Sequence, residues 1–206
     1  GAIVFDIASV KGNIPEALRE AASAGVRALS IHPLFGPAAT TLSGRKVIVI
    51  PITQDERLVE WAKKLFEDDG AEVYIVTSGE EHDQMVAITL SLTHFVNIVL
   101  AKVLARRDIR EVKKFAGTTF TLQLTLIEAI LTEDPRLYYT IEGQNPKFKG
   151  VLDEFLQATR DTAETLEDRE AYVKAFVKAR SCLAGDTGFS KAYERFYKAV
   201  EATTQS

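Results

Sequence analysis

Apolar residues fall in short runs over the first third of the chain and spread onto helical faces after it. AIVFDI at 2–7, VRALSIHP at 26–33, KVIVIPI at 46–52 and AEVYIVT at 71–77 are short and rich in β-branched residues, so they predict strands. Between the first two, PEALREAASAG predicts a helix, with Asn13 as its cap, Pro15 in its first turn and Gly25 at its end. DERLVEWAKKLFEDDG at 55–70 predicts an amphipathic helix, again ended by glycine. Strands alternating with helices predict a parallel or mostly parallel sheet with helices on its faces.

The pattern changes at Ser78. SGEE is a capping box in which Ser78 accepts from a backbone N–H and Glu81 reaches back. From there only helical periodicity is present, over roughly 79–106, 109–115, 118–132, 135–142, 146–165, 168–184 and 187–203. The predicted class is α/β followed by all-α, with domains at 1–77 and 78–206. Met85 to Ala101 carries no formal charge with His94 neutral. A membrane span needs ~20 mostly apolar residues. This run is shorter and holds Thr89, Ser91, Thr93, His94 and Asn97, so it predicts a helix buried on most sides, in a core or a subunit interface.

Composition narrows the function classes. The 206 residues are 46% hydrophobic and 26% charged, ordinary for a soluble globular protein. A net charge of -4 gives no general attraction for nucleic acid or an anionic membrane. Cys182, the single cysteine, cannot form an internal disulfide, which makes a reducing, cytoplasmic compartment the expectation. The opening GAIVFDIASVKG has no basic region before its apolar run, so no secretory leader is expected.

An open α/β sheet binds ligands beyond the C-terminal ends of its strands. His32 ends the second strand, and the loop Ser9-Val10-Lys11-Gly12 brings a hydroxyl and an ammonium to the same edge. Pro33, Gly36 and Pro37 fix the path beyond His32 and let backbone approach a ligand. A histidine so placed can accept a proton near neutral pH; equally, it can be a strand-end ring bonded to a backbone carbonyl. A dinucleotide site also needs a GxGxxG turn, and no two of the 12 glycines are spaced as G-x-G. The chain also begins inside a strand. The expectation is half of a Rossmann-like nucleotide-binding domain whose N-terminal half-sheet is missing, inactive as an isolated stretch. His32, His82 and His94 lack paired ligand spacing, so no metal site is predicted.

DIASVKG, IHPLFGP, EEHDQM and LTHF, in this order and spacing, resemble the prephenate dehydrogenase family of tyrosine biosynthesis. The nearest likeness is to members whose motif reads HPMFGP, with Leu34 here in place of methionine. The helical remainder matches more loosely, including Gly185-Asp186 before the last helix. The resemblance implies oxidative decarboxylation of prephenate to 4-hydroxyphenylpyruvate with NAD, or NADP, as cofactor. It implies that His32 accepts the ring-hydroxyl proton and that Ser9 supports it and, with Pro33, borders the nicotinamide. It places His94 at the substrate, where the loop residues Lys11 and Gly36 are also expected, and a homodimer through the helical domain is expected. His94 reads equally as a satisfied core histidine, and His82 and Asp83 read equally as structural. One position departs from the family: Thr121 stands where an arginine grips a substrate carboxylate. Arg110, Lys113, Lys114, Lys11 and a residue of another subunit are the candidate replacements. Arogenate is the nearest alternative substrate. A non-catalytic dimerisation or regulatory module derived from such an enzyme is the alternative of another class.

Overall fold

A computed structural model of the chain describes residues 2–204. Four strands form one sheet in the order β1-β2-β3-β4: β1 (Ile3–Asp6), β2 (Arg27–Pro33), β3 (Lys46–Pro51) and β4 (Glu72–Ile75). Helix α1 (Ile14–Ser23) joins β1 to β2, and α2 (Glu56–Glu67) joins β3 to β4, so both of these pairs are parallel. β2 and β3 are antiparallel, with His32 opposite Ile48. The reason lies in residues 34–45, which hold no helix and therefore cannot make the crossover that a parallel return requires. The sheet is thus mostly parallel with one reversal, and the C-terminal ends of β1 and β2 share one edge.

The chain forms two compact units. The first comprises residues 1–92 and 136–148. Its core is Leu29, Ile31, Val47, Val49, Leu58, Ala62 and Ala71, in which α2 covers the alternate inward residues of β2 and β3. Asp55 caps α2 by accepting from Leu58 N–H, and it pairs with Arg27 at 2.8 Å. The first unit extends beyond residue 78. Helix α3 (Gly79–Val86) belongs with the sheet because its buried face is stitched to the loop after β1. Ser78 accepts from Glu81 N–H at 3.1 Å, as the capping box predicts, while Glu81 reaches back to Thr77 N–H. Asn13 makes no side-chain cap on α1; Ile14 N–H instead donates to the Lys11 carbonyl.

The helix that starts at Gly79 continues to Leu104 and is, by length and composition alone, apolar enough to cross a membrane. Residues Ala87–Leu92 are wound as a π-helix, and α4 (Thr93–Leu104) follows. Within the chain this helix is not buried on most sides: Met85, Ile88, Val99 and Val103 are exposed.

The second unit, residues 93–135 and 149–206, is helical throughout its described residues. It contains α4, α5 (Ile109–Lys113), α6 (Thr118–Leu131), most of α8 (Phe148–Glu164), α9 (Arg169–Leu183) and α10 (Ala192–Thr204). Helix α7 (Pro135–Gly143) lies almost wholly in the first unit. Leu124, Ile127 and Ile130 give α6 a buried stripe, with α4 and α10 packed along it. Gln123 donates to Asn97 across α4 and α6, which satisfies a polar side chain in an apolar helix.

Candidate active site

The site begins with a charged residue in an apolar strand. Asp6 ends β1 and accepts from Lys11 Nζ at 2.8 Å; the same ammonium donates to the Ile31 carbonyl at 2.8 Å. Lys11 is 0% exposed. It is a buried tie between the ends of β1 and β2, which distinguishes it from the open cation expected at the substrate. Burial lowers its ammonium from the usual lysine range, with Asp6 and then Asp83 working against that shift.

Asp83, one turn into α3, holds the same loop from the other side. Its carboxylate accepts from Lys11 N–H at 2.9 Å and from Gly12 N–H at 2.8 Å. Gly12 makes this possible with a left-handed φ of 46°. Gly79 allows the close approach of α3: a methyl group there would stand 2.8 Å from the Pro15 ring and 3.2 Å from Lys11 Cβ. Asn145 Nδ2 donates to the Asp83 carbonyl, and Lys147 pairs with Glu80, so the segment after α7 closes over the start of α3.

Asp83 Oδ1 also lies 2.9 Å from His82 Nδ1, and His82 Nε2 lies 2.8 Å from His32 Nδ1. The proton positions follow from the acceptors. Burial opposes the charge on Asp83, but hydrogen bonds from His82, Lys11 N–H and Gly12 N–H outweigh it and hold the carboxyl below its usual range. An ionised carboxylate only accepts, so His82 Nδ1 donates to it. With His82 in its neutral form, the lone pair on its Nε2 accepts from His32 Nδ1–H. Neutral His32 is left with its lone pair on Nε2, an atom with no hydrogen-bond partner among the described residues. Burial, then His82 and Lys11, push the His32 imidazole down to about 3, so the ring is neutral at physiological pH. This arrangement makes Nε2 a fixed hydrogen-bond and proton acceptor at the C-terminal end of β2.

The other expected residues are placed as follows. Ser9 is half-buried on the loop between Asp6 and Lys11 and makes no hydrogen bond to His32; His82 orients that ring instead. Pro33 closes β2 beside His32, and Gly36 is exposed in the turn beyond, its carbonyl accepting from Ala39 N–H. His94 and Thr121 belong to the second unit. His94 is half-buried in the first turn of α4, and burial lowers its imidazole with Glu133 opposing. Thr121 Oγ1 donates to the Gly117 carbonyl at 3.1 Å. It lines a hollow of about 350 Å³ together with Lys113, Thr125 and Glu128, and Lys113 pairs with Glu128 at 2.9 Å.

A strand-end imidazole with an available lone pair, at the ligand-binding edge of an α/β sheet, is a candidate proton acceptor. The chain belongs to the prephenate dehydrogenase family. The family's nucleotide-binding domain matches residues 1–75 and its dimerization domain matches residues 78–178, the two meeting at the start of α3. The chain is 32% identical to a probable arogenate/prephenate dehydrogenase of Methanocaldococcus jannaschii, over 87% of this chain and 41% of that protein. It is 27% identical to a 4-amino-4-deoxyprephenate dehydrogenase of Streptomyces pristinaespiralis, over 89% of this chain and 62% of that one. It therefore spans less than two thirds of the length of either relative. The fold is similar, at a TM-score of 0.70 and 24% identity, to the prephenate dehydrogenase of A. aeolicus solved with hydroxyphenyl propionate and NAD+; the match covers 89% of this chain and 66% of that one.

Proposed function

We propose that this chain is the catalytic-histidine and dimerisation portion of an NAD(P)+-dependent dehydrogenase that converts prephenate to 4-hydroxyphenylpyruvate. Arogenate is the nearest alternative. The observation that carries the reading is His32, held neutral with Nε2 unpartnered at the ligand-binding edge of the sheet.

The bound nicotinamide supplies a hydride acceptor. Ser9 and Pro33 would border it; the glycine turn for its phosphates has no counterpart in these residues and is proposed to lie in the remainder of the protein. His32 Nε2 accepts a hydrogen bond from the ring hydroxyl. As hydride leaves the carbon bearing that hydroxyl, the group turns into a protonated carbonyl, a far stronger acid than an alcohol. A weakly basic but correctly placed imidazole then suffices to take the proton. Cleavage of the ring–carboxylate bond releases carbon dioxide and leaves its electron pair in the ring. The proton returns to the oxygen as the phenol forms, so none is released overall.

The cation that takes the place of the family's arginine at a substrate carboxylate is left open among Arg110, Lys113, Lys114, Lys11 and a residue of another subunit. Tyr172, Val173, Phe176 and Val177 on α9 and Val99 and Val103 on α4 are exposed apolar side chains within the stretch matched by the dimerization domain, which supports a homodimer through this unit. The test follows NADH formation by the whole polypeptide with prephenate, arogenate and 4-amino-4-deoxyprephenate in parallel. Turnover of prephenate fastest supports the reading. Preference for another substrate reassigns it, and no turnover of any by folded, NAD+-binding protein overturns it.

A further inference from the structure

We propose that His32, His82 and Asp83 form a two-histidine proton relay in which the proton taken from the substrate comes to rest on His82. This rests on the reading of His32 as the proton acceptor, and goes beyond it by giving His82 and Asp83 defined roles as positioning residues.

The geometry is continuous. Three buried side chains are linked by hydrogen bonds of 2.8 Å and 2.9 Å, and the far end is anchored by two backbone N–H donors on Asp83. His32 and His82 are 3% and 2% exposed, so water does not compete for the intervening atoms. When His32 Nε2 gains a proton, the ring's Nδ1–H proton passes to His82 Nε2. His32 is then neutral as its Nε2–H form, and His82 is an imidazolium whose Nδ1–H still donates to Asp83. One proton enters, one moves and no heavy atom shifts; the reverse sequence returns it when the ring becomes aromatic.

The charges around each ring set the direction. His32 is faced by the Lys11 ammonium, by His82 and, at longer range, by the carboxylates of Asp6 and Asp83. The Asp6 charge is already paired with Lys11 at 2.8 Å. A positive His32 would therefore stand beside a second buried cation without a carboxylate of its own. His82 is faced by His32 and, at 2.9 Å, by Asp83. Desolvated charges of opposite sign in hydrogen-bond contact stabilise one another, whereas an isolated buried cation is costly. Displacing the charge by one ring also explains how a site that disfavours an imidazolium at His32 can still accept a proton.

The test has a spectroscopic arm and a kinetic arm. Long-range ¹H–¹⁵N imidazole spectra of the whole polypeptide read both tautomers without substrate. At neutral pH both rings should carry hydrogen on Nδ1 only. On acidification the first proton should make His82 doubly protonated and move His32 to its Nε2–H form. A His32 ring that is Nε2–H at neutral pH, or that becomes doubly protonated first, overturns the relay. In the whole enzyme, His82→Gln keeps an oxygen to accept from His32 Nδ1–H but cannot take a proton. Its kcat should fall about 10²-fold with KM nearly unchanged, the size of a lost acid–base contribution. A kcat and pH profile equal to the parent's would overturn the relay. If His82→Gln does not fold, the spectra of the parent chain decide alone. If the parent enzyme turns over no substrate, the proposed function falls while the spectra still test the relay.

Discussion

His82 Nε2 lies 2.8 Å from His32 Nδ1 although the two residues are fifty positions apart. Everything that holds this contact is local to one corner of the first unit: Gly79 lets α3 approach, Asp83 pins the loop after β1, and Lys11 ties the ends of β1 and β2.

Asp83→Asn should destabilise the fold by about 1–3 kcal/mol, since the amide turns one acceptor into a donor facing a buried N–H. The readout is the urea midpoint, with m unchanged. A midpoint equal to the parent's would mean that the two loop bonds contribute nothing net.

Gly79→Ala should cost about 1–3 kcal/mol, because its methyl meets the Pro15 ring at 2.8 Å. Gly150→Ala, in α8, meets nothing within 4 Å and should stabilise by roughly 0.5–1 kcal/mol through helix propensity. Thermal unfolding of the two variants side by side should move Tm in opposite directions.

Lys11→Met removes one partner of a buried pair and leaves Asp6 uncompensated. A loss of about 3 kcal/mol is expected, because Asp6 retains some contact with solvent. Equilibrium unfolding that shows no loss would contradict the ion pair as the tie between β1 and β2.

Stability should fall on acidification. The His32 ring takes its proton near 6.5 when unfolded and at about 3 when folded. Between these values the unfolded chain binds a proton that the folded chain does not. The contribution is therefore complete above about pH 6.5 and is lost toward pH 3. The lowered Asp83 carboxyl adds to the loss at the acid end. Denaturant midpoints measured across this range should slope downward, and His32→Asn should flatten the slope.

Much of the site's address was legible in the chain. Four apolar runs placed the strands, Ser78 and Glu81 placed the start of α3, and the end of the second run placed His32 at a ligand-binding edge. The reversal between β2 and β3 was not, because an apolar strand reads the same in either direction; the missing helix in residues 34–45 was its only signal. Nor was the burial of Lys11, since a lysine in a loop defaults to solvent. Asp6 inside AIVFDI was the clue, a charge at a strand end that needs a partner within reach. His82 and Asp83 could not be told from an ordinary polar first turn, because their partners lie in distant parts of the chain.

The most direct measurement is NADH formation from prephenate and NAD+ by the whole enzyme and its His32→Asn variant, with circular dichroism to confirm the fold. With His32 as the proton acceptor, kcat should fall by about 10²–10⁴-fold while the spectrum is unchanged. Comparable turnover by a folded variant would remove His32, and the relay behind it, from the chemistry.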